Sequence, residues 1–177
     1  KDEEFAEDSD MSIRTPLTGK AVIPQYTGEL DKENPIVFLE NPRDLENIGA
    51  IVRVSAGMNT AAVVTTGDVN PWHKNCLRGS QGLHFALPVL HLDELNDQLS
   101  EGRSVVVFDE SGQDLTSTVI PHNSILVFGS ERQGVTKEMI HRADIVVKIP
   151  QREGVSSYNL ATYRAMGLYP VLHNSPV

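Results

Sequence analysis

Ser124-Ile-Leu-Val-Phe-Gly129, running straight into Ser130-Glu-Arg-Gln-Gly-Val-Thr136, decides the fold. Four consecutive apolar residues leave no alternation between a wet and a dry face, so the segment reads as a strand buried on both sides, as in a parallel sheet. The abrupt change to Gly, Ser, Glu and Gln marks the carboxyl end of that strand. Working outward, Ser104–Asp109 (SVVVFD) and Ile145–Ile149 are runs of the same kind, and Ile36–Glu40, Ala61–Thr65 and Pro88–His91 are shorter ones. Helical spacing falls between them. Ile48, Ile51, Val52 and Ser55 predict a helix near 44–58, entered through Asn41-Pro42. Residues 71–84 predict a helix around Trp72, Cys76 and Leu77, weakened by Gly79 and Gly82. Leu92, Leu95 and Leu99 predict one over Asp93–Leu99, and Ser156–Leu172 closes the chain as another. Some six strands interleaved with helices give an α/β fold, a mostly parallel sheet with helices on both faces.

Composition bounds the function. The 177 residues are 40% hydrophobic and 22% charged, which fits one globular core. The apolar runs are too short to span a bilayer, so no membrane association is expected. The net charge is −9, but residues 1–10 hold six acids and one base, leaving −4 for the remainder. That balance advertises no broad polyanion-binding surface, although Arg43, Arg53, Lys74, Arg78, Arg132, Lys137, Arg142, Arg152 and Arg164 allow a local one. Cys76 is the single cysteine, which excludes an intrachain disulfide, and the six histidines show no ligand spacing, so no metal is expected. With an acidic start in place of a secretory leader, the expected compartment is the cytosol. Residues 1–34 read as an acidic tail and connector whose first dozen residues are expected to be mobile, and 35–177 as the functional domain.

Ligands of such sheets bind beyond the carboxyl ends of the strands, which directs attention to three segments. In Asn41–Arg53 (NPRDLENIGAIVR), Arg53 follows an apolar stretch; it either snorkels to solvent or aims a cation at the cleft. In Phe128–Thr136 (FGSERQGVT), Gly129 permits close backbone approach and Glu131 offers an acceptor, in a turn without the signature of a phosphate loop or dinucleotide site. In Ile149–Met166 (IPQREGVSSYNLATYRAM), Pro150 stops the strand, Ser156 or Ser157 suits a helix cap, and Ser157 and Asn159 are polar groups at the mouth of the cleft. Each segment alone has an ordinary structural explanation.

In this order, Asn47-Ile48-Gly49-Ala50-Ile51-Val52-Arg53, Gly129-Ser130-Glu131-Arg132-Gln133-Gly134, and Ile149-Pro150 with Ser157-Tyr158-Asn159, the chain resembles the SpoU/TrmH branch of the SPOUT RNA methyltransferases. The resemblance runs from about Pro35 to Leu172. It implies a C-terminal trefoil knot, S-adenosylmethionine as methyl donor, and methylation of a ribose 2′-hydroxyl in structured RNA, tRNA or rRNA. It also implies a homodimer through the knot region. Carried over by position, Gly129, Ile149 and Tyr158 flank the adenosine, and Asn47, Arg53, Glu131, Ser157 and Asn159 form the catalytic set, with Arg53 acting near the partner's cofactor. Tyr158 departs from the family's leucine. Two other readings stay open on the same scaffold: a catalytically silent RNA-binding module, and a base-methylating relative. Trp72, with Lys74 and Arg78, reads as a helix anchor or as a face for RNA.

Overall fold

A strand flanked by neighbours and covered on both faces sends no side chain to water, so short unbroken apolar runs suffice to build the centre of this sheet. The computed structural model describes residues 22–151 and 160–173. The expected mobility of the first dozen residues, and the expected roles of Ser157, Tyr158 and Asn159, lie outside the described residues. Six strands are seen in the described chain: β1 (Ile36–Leu39), β2 (Ala62–Thr65), β3 (Val89–His91), β4 (Val105–Asp114), β5 (Ile125–Phe128) and β6 (Ile145–Lys148). They form one sheet in the order β3-β2-β1-β5-β4-β6. Every pairing is parallel, with Ile36 opposite both Ala62 and Ile125.

Alternate residues of the strands feed two cores. One face gathers Val37, Leu39, Val63, Val106, Phe108, Leu126, Phe128 and Val147 under helices α1 (Leu45–Gly57), α2 (Lys74–Gly79) and α5 (Leu160–His173), through Ile48, Ile51, Val52, Cys76, Leu168 and Val171. The other face gathers Ile36, Phe38, Val64, Val105, Val107, Ile125 and Val127 with Met139 of α4 (Lys137–Arg142) and with Leu95, which precedes α3 (Asp97–Ser100). Full burial of each such aliphatic side chain stabilises the fold by about 1.5–3 kcal/mol. α1 and α2 cross closely because two glycines meet: a Cβ on Gly49 would lie 2.5 Å from the Cys76 carbonyl oxygen and 2.9 Å from the Gly79 Cα.

The chain starts in mid-sheet, lays β2 and β3 to one side, then crosses to β4 and inserts β5 between β1 and β4. β1 leads to α1 on one face while β5 leads to α4 on the other, so the strand order reverses between them. A crevice at the carboxyl ends of β1 and β5 follows from that reversal.

Several elements differ from the expected ones. The helix expected over Asp93–Leu99 is a single turn, Asp97–Ser100, because Asn96 is extended (φ −99°, ψ 165°) and its side chain accepts from the Leu99 N–H at 2.9 Å, setting the start at Asp97. The helix expected over 71–84 stops at Gly79. Gly82 then takes a left-handed φ of 80°, and Leu83–Phe85 forms a separate 3-10 turn. β4 runs past Asp109 to Asp114 through an irregularity between Phe108 and Gln113, both of which face Val147 of β6. Gly112 allows this: a Cβ there would sit 2.5 Å from the Val147 nitrogen. The connector is tied down within its described part. Tyr26 donates its hydroxyl to the Leu87 carbonyl at 2.8 Å, and the Arg103 guanidinium donates to the carbonyls of Asp31, Asn34 and Asn123. No helix among the described residues is long and apolar enough to cross a membrane.

Candidate active site

Phe108–Ser111 within β4, and Phe128 at the end of β5 with the Gly129–Gly134 loop that follows it, wall a cavity of about 730 Å³, which Asn47 of α1, Gln151 beyond β6 and Tyr163 of α5 complete. The size is within the range of small-molecule and cofactor sites. Its floor is aromatic. Phe108 and Phe128 stack with ring centroids 4.4 Å apart at 18°, and Tyr163 meets Phe108 edge-on at 6.4 Å. Its rim is polar: Asp109, Glu110 and Ser111 on one side, Gly129–Gly134 on the other.

The Gly129–Gly134 loop is preformed. Ser130 and Gly134 exchange two backbone hydrogen bonds of 3.0 Å, and Gly134 turns the chain with φ 67°. Gly129 must be glycine for a different reason, since a methyl group there would overlap the backbone of Gly134 and Val135. The far end of the loop is pinned by Glu40 at the end of β1. Its carboxylate accepts from both the backbone N–H and the hydroxyl of Thr136, each at 2.7 Å. Thr136 in turn caps α4 by accepting from the Met139 N–H at 3.2 Å.

α1 brings Asn47 to the same wall. Asp44 caps the helix by accepting from the Asn47 N–H at 2.9 Å, and the Asn47 side-chain amide donates to Glu131 at 3.1 Å. This bond crosses the crevice and joins two of the three motifs. Arg53 is different: it is exposed on α1 and is not part of the cavity wall of its own chain. Ile149 is buried beside the cavity, and its backbone N–H donates to the Tyr163 hydroxyl at 3.4 Å. Gly129 lines the wall directly.

Tyr163 is a site residue that the three motifs do not mark. It is half-buried at the cavity, and that burial, reinforced by Glu110 and Asp109, pushes its phenol above the ordinary tyrosine range. The phenol is therefore neutral at physiological pH and able to hold the Ile149 end of the cavity. Phe108, Asp109, Glu110 and Ser111 were also not singled out, because Asp-Glu-Ser-Gly after an apolar run reads as an ordinary loop. Cys76 is fully buried, and burial pushes its thiol up to about 11, which removes it from nucleophilic chemistry. Among the described residues no group of three or more His, Cys, Asp or Glu is placed to hold a metal.

Comparison with known proteins is in register with this geometry. The mitochondrial rRNA methyltransferase 3 of Xenopus tropicalis is 38% identical over 83 residues, covering 45% of this chain and 20% of its own length. The chain thus spans about a fifth of that relative. The cytosolic compartment expected above draws no support from it, since it is described as mitochondrial. The SpoU methyltransferase AviRb from Streptomyces viridochromogenes, solved with its cofactor AdoMet, has the same fold. The TM-score is 0.75 at 22% identity, over 82% of this chain and 59% of that one. The TrmH/SpoU tRNA-modifying enzyme of A. aeolicus superposes with a TM-score of 0.69 at 24% identity, over 81% and 76%. The fold is therefore the α/β fold of the knotted SpoU methyltransferases. Residues 34–169 match the SpoU rRNA Methylase family, and the chain belongs to it.

Proposed function

We propose that this domain binds S-adenosylmethionine in the cavity between β4 and the loop that follows β5 and directs its methyl group to a ribose 2′-hydroxyl of ribosomal or transfer RNA. The observation that carries this reading is the Asn47–Glu131 bond across the wall of a cavity whose floor is aromatic and whose rim is acidic and backbone-rich. Those surfaces fit the methyl donor part by part. Phe108, Phe128 and Tyr163 suit an adenine ring, the Gly129–Gly134 backbone suits its polar edge, and Asp109 and Glu110 suit ribose hydroxyls and a cationic sulfonium. Bound there, the cofactor supplies an electrophilic methyl group on a positively charged sulfur. AviRb, which shares the fold, is known with the same molecule bound.

The protein's own task is alignment and the stabilisation of charge on the attacking oxygen, since a ribose hydroxyl is a poor nucleophile at neutral pH. Asn47 and Glu131 fix the start of α1 against the cofactor loop. Arg53 binds the neighbouring phosphate and polarises the hydroxyl. A guanidinium stays protonated, so the proton leaves through phosphate oxygen or water rather than to Arg53. Because Arg53 is exposed outside its own cavity, it serves the cavity of a second copy. α5 packs against α1 and carries exposed Met166 and Tyr169, an apolar surface suited to that pairing. Ser157 and Asn159 position the hydroxyl, and Tyr158 completes the adenosine site.

Calorimetric titration with S-adenosylhomocysteine tests the reading. One ligand per chain is expected, with binding lost in Gly129→Val. A wild-type chain that does not bind it would leave the scaffold a silent RNA-binding module.

A further inference from the structure

One aromatic cluster has no part in the cavity. Trp72 was read from sequence as a helix anchor or a face for RNA, and the structure makes it the anchor. It is half-buried, its indole N–H donates to the Val89 carbonyl at 3.2 Å, and its ring packs edge-on to the fully buried His84 at 5.3 Å. The ring left to solvent is Phe85, which is 50% exposed and held edge-on by Trp72 at 5.5 Å. A large apolar ring, fixed from below and open above, is a stacking surface.

Cations adjoin it. Lys74, two residues after Trp72, is exposed. At the other end of the six-residue α2, Arg78 is exposed and lies 3.8 Å from Glu46 of α1, the residue next to Asn47 on the cavity wall. That ion pair is solvent-exposed at both ends, so exchanging the carboxylate for another anion costs little. Arg53 is exposed further along the same helix, seven residues and about 10 Å beyond Glu46. From residue 71 to 86 the chain carries Lys74 and Arg78 and no acid, whereas the whole chain is at −9.

We propose that Phe85, Lys74 and Arg78 form an accessory contact for a single-stranded segment of the substrate RNA. One base stacks on Phe85, and successive phosphates meet Lys74 and then Arg78, which leaves Glu46 for the phosphate nearest the cavity. Aromatic and cationic groups combined in this way hold single strands with little regard to sequence. The inference rests on the methyltransferase reading only for the identity of the strand. α2 is the bridge that leads the strand from the aromatic ring to the mouth of the site.

The test is fluorescence anisotropy of a labelled 12-nucleotide single-stranded RNA on the 177-residue chain, across a salt series. Phe85→Ala is expected to weaken binding by roughly tenfold, and Phe85→Trp to restore it. Lys74→Ala with Arg78→Ala is expected to lower the slope of log K against log salt by about 1.4, which a merely structural role would not do. S-adenosylhomocysteine affinity should be unchanged in all of these variants, which shows that the fold and cavity survive. The proposal is overturned if Phe85→Ala and the double variant bind the oligonucleotide as the wild type does, or if the wild type does not bind it. In either case, intact S-adenosylhomocysteine binding leaves the methyltransferase reading standing.

Discussion

Glu40, the first residue after β1, holds Thr136 through two hydrogen bonds of 2.7 Å, and so fixes the far end of the Gly129–Gly134 loop from the neighbouring strand. The loop's other fixed point is the Ser130–Gly134 bridge. Between the two, its backbone has little freedom to lose when a ligand binds.

Loosening this clamp should therefore weaken ligand binding as well as the fold. Thr136→Ala removes the cap of α4 and the hydroxyl's donation to Glu40, with an expected loss of about 1 kcal/mol in stability. Glu40→Ala removes both bonds to Thr136. S-adenosylhomocysteine affinity should fall several-fold in each variant by calorimetry, and Glu40→Gln, which keeps one acceptor oxygen, should fall between wild type and Glu40→Ala.

The contact of Gly49 with Gly79 makes a separate prediction about stability. Gly49→Ala places a methyl group 2.5 Å from the Cys76 carbonyl oxygen and must push α2 from α1. Urea unfolding should show a loss of about 1–3 kcal/mol. The gain in helix propensity from Gly to Ala, about 1 kcal/mol, is too small to reverse that sign.

His84 should make stability depend on pH. It is fully buried, and burial lowers its pKa below the ordinary histidine value, partly opposed by its bond to the Pro71 carbonyl. That carbonyl can only accept, so Nε2 carries the proton at 2.8 Å, and Nδ1 accepts from the Ser80 hydroxyl at 2.6 Å. The unfolded chain thus takes up a proton before the folded one does. Stability is complete above the unfolded pKa of about 6.5 and falls as the pH drops through the folded value. Urea midpoints measured from pH 7.5 to 5.0 should decline, and His84→Gln should flatten that decline.

Arg53 should behave as a residue of function alone. It is exposed, so Arg53→Ala should leave the melting temperature and S-adenosylhomocysteine affinity at wild-type values. Methyl transfer should nevertheless fall by roughly 10²-fold or more, the scale set by removing one donor to a developing negative charge. Arg53→Lys should rescue little, since a point charge does not reproduce the planar fork. Retained transfer in Arg53→Ala would remove the residue from the mechanism.

What was legible in the sequence follows from how much context each element needs. β1 (IVFL) and β5 (ILVF) are unbroken apolar runs whose character no tertiary contact has to supply. α1 announces itself by Ile48, Ile51, Val52 and Ser55, all of which are buried. The leucines at 92, 95 and 99 suggested a longer helix than exists, because Leu95 reaches the core from a non-helical segment and Asn96 restarts the count. α4 was not singled out: it is six residues long and begins inside the motif loop that drew attention for other reasons. The extension of β4 depends on Gly112 lying flat on the backbone of β6, a relation that no local pattern carries. At the site, the motif spacing located Asn47, Glu131 and Gly129. The stacked Phe108 and Phe128 looked only like the ends of two strands until β4 and β5 were paired, in register, Phe108 opposite Phe128.

The most direct measurement of the central claim is the nucleoside product. Ribosomal and transfer RNA incubated with the chain and methyl-labelled S-adenosylmethionine, then digested and resolved by mass spectrometry, should yield label in a 2′-O-methylated nucleoside. Label confined to a base, or no transfer from a chain that binds S-adenosylhomocysteine, would contradict the account.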